Sequence, residues 1–116
     1  MAFAQSRGRA GEALAEAYLT LMGLTPRERN IRLAGVEVDL VMEEGGTQVV
    51  VEVRFRGRTD YGGAALSIDR EKRGRLMRAT RALEQLGARR VRIDVVTIEL
   101  SDEGASLRHY RNAITE

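Results

Sequence analysis

Gly35-Val36-Glu37-Val38-Asp39-Leu40-Val41-Met42, then Glu43-Glu44-Gly45-Gly46-Thr47, then Gln48-Val49-Val50-Val51-Glu52-Val53-Arg54-Phe55-Arg56 is the stretch that decides the fold. Both flanks alternate with a period of two and are rich in β-branched residues, the pattern of strands. Gly45-Gly46 supplies the two positive φ angles of a two-residue hairpin turn. Such a turn pairs Glu44 with Thr47. Counting outward, it sets Asp39 opposite Glu52 and Glu37 opposite Arg54, all four on one face. Opposed carboxylates repel across a ladder, and a shared divalent cation would relieve that repulsion. Two plainer readings stand beside this one. A wet sheet face carries polar residues anyway, with Glu37–Arg54 as a surface ion pair, and a three- or five-residue loop would make the Asp39–Glu52 contact diagonal.

The chain of 116 residues suits one domain, 1–116, with 43% hydrophobic residues to fill a core. No apolar run is long enough to span a bilayer and no charged-then-apolar leader opens the chain, so a cytoplasmic protein with no membrane partner is expected. Without cysteine there are no disulfides or thiolate metal sites, which leaves oxygen ligands or the lone His109. His109 reads as a surface residue near the end of the chain. The formal net charge is only +2, yet Lys72 is the only lysine among 19 basic residues. Codon bias explains an arginine-rich count as well as nucleic-acid binding does, so position matters more than number. Arg54, Arg56 and Arg58 leave the second hairpin strand, and Arg70, Arg73, Arg75 and Arg78 crowd one helix beginning. Carboxylates beside arginines are what cutting a polyanion requires.

Around the hairpin, residues 7–22 read as a helix with Ser6 as N-cap and Gly23 beyond its end. Ala10, Leu14, Ala17, Tyr18 and Leu21 form the expected apolar stripe, and Glu12 lies off it as a solvated residue. Thr25 to Leu33 is a strand of weak pattern, Arg56 to Ala65 a loop, and Asp69 to Leu86 a second helix with Leu76, Ala79, Leu83 and Leu86 at helical spacing. Val91 to Ile98 is a strong strand with the pattern of a central one, and Ser106 to Ile114 a short last strand. The order helix, three strands, helix, strand implies an α/β fold with one mixed sheet flanked by helices.

With that order in hand, the chain resembles the YraN-like family of small bacterial proteins. The resemblance rests on Gly11-Glu12, Tyr18-Leu19, Gly23-Leu24, Arg29-Asn30, Glu37-Val38-Asp39-Leu40, Val51-Glu52-Val53-Arg54, Tyr61-Gly62-Gly63-Ala64, Lys72, Ile93-Asp94-Val95-Val96 and Asn112-Ala113, in order over almost the whole chain. It implies a restriction-endonuclease-like fold, similar to archaeal Holliday-junction resolvases and the wider PD-(D/E)XK nucleases. It also implies Mg²⁺, with Mn²⁺ as a substitute, held by Glu12, Asp39, Glu52 and the Val53 carbonyl. The chain departs from the pattern where Val36 replaces a glycine and where Arg54 replaces the lysine of Glu-x-Lys.

Two functions follow from that resemblance. One is a Mg²⁺-dependent nuclease for structured or branched DNA, with Arg54 or Lys72 acting on the scissile phosphate. The other is a nucleic-acid- or partner-binding module that retains the carboxylates without cleaving. Arg56, Arg58, Gly62, Gly63, Arg70 and Arg73 are the expected nucleic-acid contacts in both, and a homodimer would suit a two-fold substrate. Two phenylalanines, three tyrosines and no tryptophan leave few platforms for stacking single strands.

Overall fold

Gly45 and Gly46 both adopt positive φ, 55° and 84°, and the hairpin closes on them in the expected register, from Glu44↔Thr47 to Leu40↔Val51. A computed structural model describes residues 2–56 and 68–115. Its elements run α1 (Ala2–Leu21), β1 (Thr25–Leu33), β2 (Val36–Glu44), β3 (Thr47–Arg56), α2 (Arg70–Gln85), β4 (Arg90–Ser101) and β5 (Gly104–Tyr110). The five strands form one sheet in chain order, β1-β2-β3-β4-β5. All pairs are antiparallel except β3–β4, where α2 crosses over and makes the pair parallel. The fold is α/β, with one mixed sheet between helices.

Each helix buries one face of that sheet. Leu76, Ala79 and Leu83 of α2 pack with Val36, Val38, Val41, Val50, Ile93 and Val95. Ala15 and Leu19 of α1 pack with Leu40, Met42, Val49, Val51, Val96 and Ile98 on the other side. Asp69 caps α2 by accepting the Lys72 N–H at 2.8 Å.

Several expectations need correction. Helix α1 begins at Ala2, so Ser6 lies within it and is not its cap. Its buried face is Gly11, Ala15 and Leu19, while Ala10, Leu14, Ala17 and Leu21 are exposed. An alanine-rich helix that is apolar nearly all round does not announce its inner face, and Gly11 decides it here. A Cβ on Gly11 would lie 2.5 Å from the Phe55 ring, so only glycine lets α1 approach β3 so closely. Leu86 caps the end of α2 in solvent, outside the buried stripe. Finally, β5 starts at Gly104, and His109 on it is half-buried, with its side chain only 8% exposed. The middle strand is β3; β4 is interior but one place from the edge.

Candidate active site

The site forms where the hairpin comes apart. The β2–β3 ladder stops at Leu40↔Val51, after which β2 stays with β1 and β3 stays with β4. Asp39 and Glu52 are the next residues outward. The side-chain alternation of β2 also breaks here: Val36 and Val38 face α2, whereas Leu40 and Met42 face α1. Across β1, Arg29 partners Leu40 and Ile31 partners Val38, which leaves Asn30 facing Asp39 with a left-handed φ of 48°. Asp39 fills the gap with its own side chain, its Oδ2 accepting the Val53 N–H at 2.9 Å. Glu37 partners Arg32 of β1, not Arg54 as the hairpin count implies.

Through this gap runs a chain of polar groups from one helix to the other. Glu12 of α1 interacts with Asn30 and with Asp39, and Asp39 in turn interacts with Glu52. Lys72 of α2 completes it, its Nζ 3.0 Å from Glu52 Oε2. That oxygen is buried and accepts no hydrogen bond of good geometry, although the ammonium lies within ion-pair distance. Burial, then the neighbouring Asp39, pushes the Glu52 carboxyl up to about 7 against the pull of Lys72. Burial and Asp39 raise Glu12 as well. A cavity of about 300 Å³ opens over this point, lined by Glu52, Val53, Arg54, Phe55, Asp69 and Lys72.

The family model described as Uncharacterised protein family UPF0102 matches residues 11–98, from the Gly11 contact of α1 to the middle of β4. The chain belongs to that family. The UPF0102 protein of Halorhodospira halophila is 41% identical over 112 residues, covering 97% of this chain and 89% of the relative. That of Stutzerimonas stutzeri is 41% identical over 117 residues, covering 97% and 98%. Among solved structures, Pyrococcus furiosus SfsA in complex with Ca²⁺ is similar with a TM-score of 0.39 and 12% identity, over 97% of this chain and 65% of that one. A likeness that weak says nothing of function.

The matched UPF0102 segment contains every sequence-predicted site residue, which the fold sorts into groups. Asp39, Glu52, Val53, Arg54 and Lys72 come together, and Glu12 joins them through Asp39. Yet among the described residues no group of three or more His, Cys, Asp or Glu side chains is disposed to hold a metal ion; the carboxylates meet in sequence, as a chain. Arg70 and Arg73 are exposed on the first turn of α2 and do not line the cavity, and Arg73 reaches the Thr115 carbonyl at 3.4 Å. Only the backbone of Arg56 is described, and Arg58, Gly62 and Gly63 lie outside the described residues.

Sequence reasoning missed the role of Asp94. This carboxylate is fully buried on β4, on the α1 side of the sheet. It accepts from Arg92 Nε at 2.9 Å, His109 Nε2 at 2.7 Å and the Asn112 N–H at 2.9 Å. Burial alone would raise its pKa; these hydrogen bonds outweigh burial and hold it below the usual aspartate value. The Tyr18 ring meets His109 edge-on at 6.4 Å. An Asp inside an apolar strand, two residues after Arg92, was the available signal.

Proposed function

We propose that this chain is a divalent-metal-dependent nuclease acting on structured DNA. One observation carries the reading: two carboxylates in contact where two strands part, one of them raised to about 7 with a buried oxygen lacking a directed hydrogen bond. A group held so far from its ordinary value marks a working site more often than a structural one. The donor set is hard oxygen, which fits Mg²⁺ or Mn²⁺. Asp39 and Glu52 would hold the ion, with Glu12 behind Asp39 and the Val53 carbonyl as a further donor.

Such an ion supplies charge to polarise a phosphoryl oxygen and a more acidic bound water. The protein's own groups do the rest. Lys72 and Arg54 line one cavity and would orient and neutralise the phosphate. Arg54 cannot accept a proton, because its guanidinium stays charged. Lys72 therefore takes the place of the lysine of Glu-x-Lys, reaching in from α2. Lys72 Nζ pairs with Glu52 at 3.0 Å, and a cation held by Glu52 would take over that pairing and leave the ammonium available to the phosphate.

Cleavage of labelled duplex, flap and four-way-junction DNA in Mg²⁺, Mn²⁺ or EDTA tests this, alongside calorimetric titration with Mn²⁺. Asp39→Asn and Glu52→Gln should each abolish both cleavage and Mn²⁺ uptake. Mn²⁺ uptake unchanged in both variants would sink the metal site.

For Lys72, alanine should lower cleavage by about 100-fold or more while sparing Mn²⁺ uptake. Lys72→Arg should restore DNA binding better than it restores the reaction. Wild-type cleavage by Lys72→Ala would leave Arg54 as the phosphate's partner.

One observation favours binding without cleavage: Glu12 interacts with Asp39 and Asp39 with Glu52, but among the described residues the three do not converge on one point. In that case DNA binding survives in EDTA and no product forms with either metal.

A further inference from the structure

The candidate site does not end at Lys72. A second cavity, of about 340 Å³, is lined by Arg32, Gly35, Val36, Glu37, Lys72 and Arg75. Lys72 lines both cavities, so the two form neighbouring compartments along the start of α2 with its side chain between them. The geometry points to the second compartment as a subsite for another phosphate of the same nucleic-acid strand, with Arg32 and Arg75 as its ligands. This rests on the nuclease reading, and gives it a direction: the strand runs from Arg54 past Lys72 towards the β1–β2 turn.

Three features support the assignment. Three cations line the compartment against one carboxylate, Glu37, and Lys72 is the one already paired elsewhere, with Glu52. The two arginines come from different elements, Arg32 from β1 and Arg75 from α2, so they flank the compartment from both sides. Among the described residues neither is tied down by a strong internal bond: Arg32 Nη1 makes a 3.5 Å contact with the Gly35 carbonyl, and the ion pair of Arg75 with Glu71 is an exposed i,i+4 pair of small worth. Guanidinium groups of this kind take phosphate oxygens two at a time. At the turn Ala34 and Gly35 take left-handed φ of 51° and 79°, and Gly35, which lines the compartment, has nothing within 4 Å of where a Cβ would stand, so that wall is open.

Anisotropy of a short labelled DNA duplex, in Ca²⁺ in place of Mg²⁺ and over a range of salt, tests the subsite. Arg32→Ala and Arg75→Ala should each weaken binding several-fold and flatten the log–log salt dependence by about 0.9. The control Arg89→Ala, an equal loss of charge beyond the far end of α2, should change neither. Glu71→Gln should tighten binding by releasing Arg75 from its partner. These residues are exposed, so the variants should melt like wild type. If Arg32→Ala and Arg75→Ala match Arg89→Ala, the subsite is wrong, while Mn²⁺ uptake and cleavage at Asp39 and Glu52 stand untouched. If wild type binds no duplex even at low salt, the subsite falls together with the nucleic-acid part of the proposed function.

Discussion

Glu52→Gln should make the protein more stable at pH 8 and leave it unchanged near pH 4. The folded-state pKa of Glu52 is raised from 4.5 to about 7, so the native state holds a proton that the unfolded chain releases. Stability is therefore fully present below 4.5 and falls as pH rises through the window up to about 7. The loss is on the order of 3 kcal/mol at 1.36 kcal/mol per pK unit. Glutamine carries no charge to desolvate and does not repel Asp39. Its one loss is the contact with Lys72, whose side chain is 37% exposed and can turn to water. Thermal melts at several pH values should show the wild-type midpoint dropping by several degrees across that window and the variant's midpoint holding. Added Mn²⁺ should recover the lost stability in wild type at pH 8 and do nothing for the variant. Parallel pH profiles for the two proteins would mean that Glu52 titrates normally.

That instability ties the fold to the proposed chemistry. A hairpin selected only for stability would close its ladder past Leu40↔Val51 and place an apolar pair there. This one opens and lodges three carboxylates in the gap, two of them with raised pKa values. Natural proteins give up stability at places where a charged constellation is needed for work.

Much of this was legible in the sequence because local rules control it. Gly45-Gly46 fixed the turn, the turn fixed the register, and the register brought Asp39 next to Glu52. What escaped depends on neighbours distant in the chain. The break in alternation at Asp39 answers the left-handed Asn30 on another strand, and no period-two count along β2 could foresee it. The inner face of α1 follows from the fit of Gly11 against Phe55, which helical periodicity cannot see in an alanine-rich segment. His109 looked like a tail residue because its partner, Asp94, lies 15 residues away on the neighbouring strand.

Asp94→Ala should be the most damaging single substitution in the polar interior, costing about 3–5 kcal/mol. Its removal leaves the Arg92 guanidinium, His109 Nε2 and the Asn112 N–H without their shared acceptor inside the fold. The loss spreads in two directions. Arg92 also holds Glu44 at 2.9 Å, and Glu44 takes Arg111 as well, so the hairpin end, β4 and the segment after β5 are linked through one carboxylate. The Ala113 N–H, 2.8 Å from the Ile93 carbonyl, is the next contact to fray. Urea unfolding at neutral pH should show the drop, and Asp94→Asn, which keeps the shape without the charge, should fall between. The acid limb gives an independent readout. Because the folded-state pKa of Asp94 is depressed, its contribution is present above 3.8 and disappears as pH falls through the folded value. Wild type should thus lose stability on both sides, from Asp94 below 3.8 and from Glu52 above 4.5, so these two groups favour a maximum between. Asp94→Asn should flatten only the acid side, and its Mn²⁺ uptake should match wild type, since Asp94 lies on the α1 side of the sheet and Glu52 meets Lys72 of α2. A wild-type acid limb in Asp94→Asn would show that another carboxylate controls acid unfolding.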